Sequence, residues 1–522
     1  MSNVLHKNSI VQKTMEVAGS TLLSRVLGLA RSVLLVRYLG ADVVGEAFRA
    51  AYKLPNMLRQ IFAEGALSAA VVPTFVANLK RGDNKEKLGS LMSLSFLVFE
   101  GTVLLLCVLA MWKAQWVVHF FAPGFPEAKM EIAIRLFRIL MPFIFFISSS
   151  ALLAGALQSL HHFWVPALSP AWLNVVFITA LLCGIYAGYS VEFLCGAILF
   201  GGFIQLLAHV VVYFRLGMGF SGITDYALKS FKTLLAKFVP AMLGMSVLQF
   251  SVIVDSRFAS YLPHAYTLME IASGFLRIPV GVFAVAFSTI LLPHFSRVQT
   301  YAPKRLSFYL LESTKLVFWV TVPTAILLSF FSEKIFVTLY LSKKFPMELV
   351  MEAKYILSAF LLGLFFLSLN KILMNIFYSL HQQWIPAIVV VCGTCVNYAL
   401  NMLMVGTWKA TGLALATSAS VAVQALLFFI ILKYGFNFKL YLGVLLSFCV
   451  RYIVQVTIVF GLFYGVYIGI VGWIAYFIPQ AEMLLTKTLC VWVWVAPLCG
   501  AAMYVLYRTR TWFRVRIHFL NS

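Results

Sequence analysis

Ionisable side chains crowd the first apolar segments of the chain, among them Arg25, Arg31, Glu46, Arg49, Lys53, Arg59 and Glu64. In the second segment Glu46, Arg49, Lys53, Gln60 and Glu64 step by three, four, seven and four residues, which places them on one face of a helix. Each such charge costs roughly 2.5–3.5 kcal/mol at mid-bilayer on insertion scales, so a stripe of them must face protein or water, not lipid. Arg25, Arg31 and Arg37 lie six residues apart on the first segment and cannot form one narrow stripe. Arg37, near the end, is expected to snorkel, and Arg25 and Arg31 are both expected to reach a wide cavity. Five cations (Arg25, Arg31, Arg49, Lys53, Arg59) stand against two carboxylates (Glu46, Glu64). A low-dielectric cavity with that excess concentrates an anion, and arginine forks onto phosphate oxygens. The plain alternative is a set of buried ion pairs, Glu46 with Arg49 and Glu64 with Arg25, that lock helices together. Pro55 removes a helical hydrogen bond, and it and Gly65 are the expected hinges.

The elements that position these residues follow from composition. The 522 residues are 62% hydrophobic and 11% charged, against about half and a quarter in soluble proteins, which excludes a disordered chain, a coiled coil and almost any soluble enzyme. Apolar runs long enough to span recur near 16–38, 44–78, 89–114, 128–157, 164–186, 190–215, 231–259, 266–296, 309–332, 348–379, 385–406, 410–433, 441–469 and 484–507. Barrel-type alternation is absent, so the expected fold is an all-α polytopic bundle of about fourteen transmembrane helices. Residues 1–12 lack the pattern of a cleavable signal. The net charge of +22 reads as a topology signal, because Lys and Arg collect in alternate loops, including Lys80, Arg81, Lys229, Lys232, Lys304, Arg305, Lys433 and Arg508 to Arg516. Both termini are therefore expected in the cytoplasm, and no nucleic-acid partner is needed to explain the charge. The eight cysteines sit in apolar runs and read as small apolar side chains.

An internal repeat organises the bundle. Ser159-Leu160-His161-His162-Phe163-Trp164-Val165-Pro166-Ala167 returns as Ser379-Leu380-His381-Gln382-Gln383-Trp384-Ile385-Pro386-Ala387. Lys53-Leu54-Pro55 returns as Arg277-Ile278-Pro279, and Pro73-Thr74-Phe75 as Pro293-His294-Phe295. The repeat spans six runs, so the halves are parallel repeats, an organisation typical of transporters. The expected division is a six-helix lobe over 1–222, its repeat over 223–438, and two extra helices with a basic tail over 439–522. The last two helices suggest a lipid-facing groove or plain packing. His161 and His381 read as turn residues, not metal ligands. The second half is poorer in charge, and its later helices hold almost none. Arg277 takes the repeat position of Lys53, and Asp255 is either a proton or Na⁺ site or a local partner of Arg257.

Ser24-Arg25-Val26-Leu27-Gly28, Arg31, Leu39-Gly40-Ala41, Ala47-Phe48, Tyr52-Lys53-Leu54-Pro55-Asn56 and Arg59-Gln60-Ile61-Phe62-Ala63-Glu64-Gly65-Ala66 resemble the MurJ (MviN) family. Phe121-Ala122-Pro123-Gly124-Phe125 and Pro279-Val280-Gly281-Val282-Phe283 extend the resemblance. It implies a member of the multidrug/oligosaccharidyl-lipid/polysaccharide exporter superfamily, with fourteen helices and a lipid groove. It also implies a flippase for lipid II, the undecaprenyl-pyrophosphate-linked peptidoglycan precursor, in the bacterial inner membrane. The family's substrate positions fall on Arg25, Arg31, Glu46 (usually Asp), Arg59 and Glu64. Gln60 stands where a second arginine is frequent, and Arg49 where the family is usually apolar. A second-lobe arginine aligns with Gly274, leaving Arg277, three residues on, as the substitute. Some members bind Na⁺ in the second lobe, for which Asp255, Thr394 and Asn397 are the nearest candidates. No cofactor is expected beyond coupling to the membrane potential, Na⁺ or H⁺. The chain is expected to act as a monomer among membrane lipids, with cell-wall synthesis proteins as candidate partners.

Three rivals remain at the level of sequence. An exporter of another lipid-linked oligosaccharide shares the same charge logic, whereas a drug exporter calls for an acidic cavity. A membrane enzyme acting on prenyl-pyrophosphate sugars needs acidic metal ligands, and no Asp-rich motif or P-loop is present. A channel needs a repeated filter, which the sequence lacks.

Overall fold

The computed structural model describes residues 23–61, 67–80, 85–477, 488 and 490–520. Glu64 and Gly65, two of the residues singled out above, lie outside the described residues. The described chain is helical, with one isolated bridge between Ser342 and Phe345. In order the helices are α1 (23–39), α2 (Val43–Ile61), α3 (Leu67–Lys80), α4 (Lys85–Trp112), α5 (Ala114–Phe121), α6 (Glu127–Leu140), α7 (Phe143–Ser159), α8 (Trp164–Ala187) and α9 (Val191–Arg215). There follow α10 (Asp225–Ala259), α11 (Ala265–Pro279), α12 (Val285–Tyr301), α13 (Leu306–Tyr340), α14 (Met347–Leu362), α15 (Leu364–Ser379), α16 (Trp384–Ile430), α17 (Leu442–Phe477) and α18 (Val491–Thr509). Such apolar segments satisfy their backbone groups internally, which is what hydrocarbon demands.

Among the described residues ten helices are long and apolar enough to cross a membrane, and the bent pair α14 and α15 adds an eleventh. The protein is therefore a multi-pass membrane protein. Helix α16 is 47 residues long, and at Lys409 its backbone leaves the helical region (φ 46°, ψ −133°). The Asn397 amide reaches the Thr417 hydroxyl at 3.3 Å, although a straight helix would separate them by about 30 Å. The chain thus doubles back at Lys409, and the expected runs 385–406 and 410–433 are the two arms of a hairpin. The charged α1 and the α2–α3 segment, which the sequence also reads as crossings, are not among the ten.

The chain forms two compact units, Met1–Thr267 and Leu268–Ser522. In the first, Leu67, Val71 and Phe75 of α3, Leu91 and Phe99 of α4 and Leu152, Leu153 and Leu157 of α7 build one core. Helix α10, placed by the repeat arithmetic after residue 222, packs into this core through Leu234 and Phe238. Its Phe231 and Phe238 rings sit 5.6 and 4.7 Å from Phe99. In the second unit α12, α13, α15 and the arms of α16 share a core around Phe295, Leu369, Ile376 and Phe428. Helices α17 and α18 join α13 in a further cluster with Leu316, Phe448, Tyr452 and Leu506. Tyr452 donates to the Trp319 carbonyl at 2.5 Å and Trp492 to the Thr338 hydroxyl at 3.2 Å. The opposite side of α17 shows Leu446, Val450, Ile453, Ile458 and Leu462 exposed, a face suited to lipid.

The repeat is visible atom by atom at its marker. His161 and His381 both adopt the left-handed region, φ 60° and 59°. His161 N donates to Gln158 O at 3.0 Å and His162 N to Leu157 O at 2.9 Å. His381 N donates to Tyr378 O at 3.1 Å and Gln382 N to Phe377 O at 2.9 Å. This is the Schellman end of a helix, built twice with histidine where glycine is usual. Both histidines are turn residues.

Candidate functional site

The cationic site is assembled around the α1–α2 corner. Gly40 takes φ 67°, and the Asp42 carboxylate caps α2 by accepting from Gly45 N at 3.0 Å. Gly45 lies so close that a Cβ would meet the Gly40 carbonyl at 2.7 Å. Arg49, buried one turn into α2, donates to the Gly40 carbonyl at 3.0 Å and the Gly45 carbonyl at 2.9 Å. It fastens the corner that sets the angle between α1 and α2.

Arg31 is held from α8. Its Nη1 donates to Asn174 Oδ1 at 3.0 Å, and the Asn174 amide donates to the Ser24 carbonyl at 3.1 Å. The guanidinium also stands 5.1 Å over the Phe177 ring, which packs edge-on against Phe48 and Tyr52 of α2. Asn174 takes one of five donors, so the fork keeps others for a ligand. Arg25, nearly two turns earlier, is exposed. Neither arginine has a carboxylate partner among the described residues. Cations without a carboxylate partner call for water or an anion.

Glu46 is 1% exposed and fully engaged. Its Oε1 accepts from both the backbone N and the hydroxyl of Thr267, each at 2.8 Å, and its Oε2 pairs with Lys129 at 3.3 Å. The expected pairing of Glu46 with Arg49 is thus replaced: Lys129, in the first turn of α6, reaches the carboxylate, while Arg49 turns to carbonyls. Neighbouring bonds strengthen the same end of the unit. Gly124 N donates to Ser260 Oγ at 2.9 Å, Tyr266 to the Phe121 carbonyl at 2.9 Å, and the His264 ring bonds the Ala41 carbonyl. Arg257 donates to the Phe120 carbonyl at 2.7 Å.

Lys53 points over the Tyr266 ring at 5.9 Å, and Arg59 Nε donates to Asn56 Oδ1 at 3.1 Å. Both are half-buried, with Gln60 bonded to Gln249 at 3.3 Å. Pro55 lies inside a continuous α2. In the second unit Arg277 is exposed and donates to the Ser273 carbonyl and hydroxyl at 3.3 and 2.9 Å. Gly274, beside it, has open space where a Cβ would go. The three candidates for cation coupling do not share a unit: Asp255 belongs to the first, Thr394 and Asn397 to the second. Thr394 donates to the Val390 carbonyl at 2.9 Å, and Asn397 accepts from Asn401 at 3.2 Å while bridging the α16 hairpin.

Sequence reasoning missed several participants. Lys129 and Thr267 lie 83 and 221 residues from Glu46, beyond any local pattern. Asn174 carried a usable signal, since the 220-residue repeat shift maps it onto Thr394. The second half also holds a buried charge pair: Glu312 Oε1 meets Lys315 at 2.6 Å, and Oε2 accepts from His518 N at 2.7 Å. Its later helices are therefore not free of interior charge, and this pair pins the C-terminal tail to α13.

Comparison with known proteins agrees with this architecture. The lipid II flippase MurJ of Burkholderia cenocepacia is 31% identical over 434 residues, covering 81% of this chain and 84% of that protein. A solved lipid II flippase MurJ in an inward closed conformation superposes with a TM-score of 0.73 at 24% identity, over 85% of this chain and 92% of that one. An inward-facing multidrug resistance MATE family transporter of the MOP superfamily superposes with a TM-score of 0.68 at 15% identity, over 78% and 93%. The model of the family described as lipid II flippase MurJ matches residues 35–483, most of the length, and the chain belongs to that family.

Proposed function

We propose that the chain flips lipid II across the bacterial inner membrane by alternating access, with fourteen crossings that include the charged α1 and the α2–α3 segment. The observation that carries this reading is Arg31, clamped by Asn174 and Phe177 with no carboxylate partner among the described residues, beside the exposed Arg25. Phosphate is the anion such forks suit best. In this account Arg25, Arg31 and Arg59 hold the pyrophosphate, Lys53 adds charge, and Arg277 supplies the second unit's cation. Arg49 acts indirectly, by setting the α1–α2 corner. The apolar face of α17 takes the prenyl tail.

The orientation inferred from the loops puts both termini in the cytoplasm and the Glu46 end outside. Glu46, Lys129 and Thr267 then form an outer latch that opens when the head group is released. Glu64 would pair with the cations when the site is empty, and Pro55 and Gly65 serve as hinges. The membrane potential resets the cationic site, at about 2.3 kcal/mol per charge per 100 mV. The protein works as a transporter and not as an enzyme, as a monomer among membrane lipids, with cell-wall synthesis proteins as its partners. Charge reversal at Arg25 or Arg31 should abolish growth of a flippase-depleted strain that carries the chain. Full complementation by both reversals would sink the reading. An exporter of a different lipid-linked oligosaccharide shares the pyrophosphate logic and would show itself by preferring that carrier over lipid II in the same vesicles.

A further inference from the structure

Helix α4 carries a lone acid at the centre of its apolar length. Glu100 stands 15 residues after Lys85 and 12 before Trp112, and it is 2% exposed. Ser148 of α7 donates to its Oε1 at 2.9 Å. Its Oε2 has no partner among the described residues. The Ser149 hydroxyl lies beside the same carboxyl, is itself fully buried, and has no hydrogen-bond partner among the described residues. Two buried oxygens at this carboxyl, Glu100 Oε2 and Ser149 Oγ, thus lack a hydrogen-bond partner among the described residues.

Among the described residues no cationic side chain pairs with this carboxyl. On α4, Cys107 lies two turns on, and its thiol bonds the Met141 carbonyl at 3.6 Å. Helix α7 contains no titratable residue. From α10, Lys229, Lys232 and Lys237 are exposed, and Lys237 reaches Thr74 at 3.5 Å. The α10 side chains that do pack at this level are Phe231 and Phe238, against Phe99. His119 of α5 is exposed, and His209 of α9 bonds the Gln205 carbonyl at 2.8 Å. An ionised carboxylate with one hydroxyl donor and no counter-charge is strongly disfavoured in hydrocarbon.

We propose that Glu100 binds a monovalent cation, a proton or Na⁺, at a site completed by Ser148 and Ser149 within the first unit. A proton on Oε2 donates to the Ser149 hydroxyl while Ser148 donates to Oε1. Na⁺, a hard ion, takes Oε2 and Ser149 Oγ as two of its oxygen ligands. Either ion leaves the site neutral and ties α4 to α7, so its loss loosens that contact. The site is distinct from the arginines assigned to the lipid head group, and it stands whether or not lipid II is the substrate.

The test uses the purified full-length chain. Sodium titration by calorimetry and the infrared band of a protonated carboxyl are both recorded for the wild type, Glu100→Gln, Ser148→Ala and Ser149→Ala. Sodium heat that Glu100→Gln removes and Ser149→Ala weakens on the order of tenfold establishes Na⁺. A carboxyl band that Glu100→Gln removes and Ser148→Ala moves to higher frequency, without sodium heat, establishes the proton. Should Glu100→Gln fail to fold, the two serine variants decide alone. Absence of both signals from the wild type, or signals that none of the folded variants alters, overturns the proposal.

Discussion

Thr267 gives Glu46 two hydrogen bonds, from its backbone N and from its hydroxyl, both at 2.8 Å and both fully buried. One residue at the start of α11 thereby saturates one carboxylate oxygen at the start of α2, while Lys129 of α6 neutralises the other. Three helix N-termini meet there, and helix N-termini favour a negative charge. Glu46→Ala leaves the Lys129 ammonium buried without its carboxylate and should cost about 3–5 kcal/mol. Thr267→Val keeps the shape and the backbone bond, so it should cost only about 1–3 kcal/mol. Thermal unfolding of the purified variants measures both, and the reverse order would contradict the latch.

Asn174 touches both Arg31 and the Ser24 carbonyl, so it positions the arginine from a neighbouring helix. Asn174→Leu should lower flipping on the order of tenfold or more, the value of a hydrogen bond to a charged group. Arg31→Lys keeps the charge but loses the fork and the stacking on Phe177, and it should fall between wild type and Arg31→Glu. Initial rates in reconstituted vesicles rank the three.

His161 and His381 sit in the left-handed region at matching helix ends. Glycine removes the steric cost there, so His161→Gly and His381→Gly should each stabilise by about 0.5–1 kcal/mol. Valine at either place should destabilise by at least as much. Equal shifts in melting temperature for the two sites are expected from the repeat.

Glu312 joins Lys315 to the backbone of His518, and Val515 and Ile517 are buried beside it. Truncation after Arg514 should strip these contacts and destabilise the second unit by about 4–9 kcal/mol, from two buried apolar side chains and one charged hydrogen bond. Limited proteolysis of α17 and α18 reads the loss.

The helices were legible because hydrocarbon leaves the backbone few options, and long apolar runs say so directly. The repeat was legible in nine residues, and the structure turns it into two identical helix ends. Arg31 and Glu46 were legible as costly charges in apolar surroundings, but their partners were not. Lys129 belongs to the following helices and shows no spacing relative to Glu46. Arg49 looked like a ligand for the same reason that Arg31 did, and only the close approach at Gly45 shows that it caps a corner. Glu100 is a single acid in the apolar stretch of α4 that follows Lys87, and no periodicity marks it. Helix α10 follows the repeat in sequence, yet Phe231 and Phe238 pack it against Phe99, because apolar contact and not chain order decides where a helix docks.

In the proposed cycle Arg25 and Arg31 carry a pyrophosphate head group across the membrane. Vesicles containing the full-length chain and fluorescent lipid II, assayed with and without a membrane potential, test it most directly. Protein-dependent flipping is expected that responds to the potential and disappears in Arg25→Glu and Arg31→Glu, while both variants keep the wild-type melting temperature. Equal flipping by wild type and both reversals, or no flipping of lipid II by the folded wild type, would contradict it.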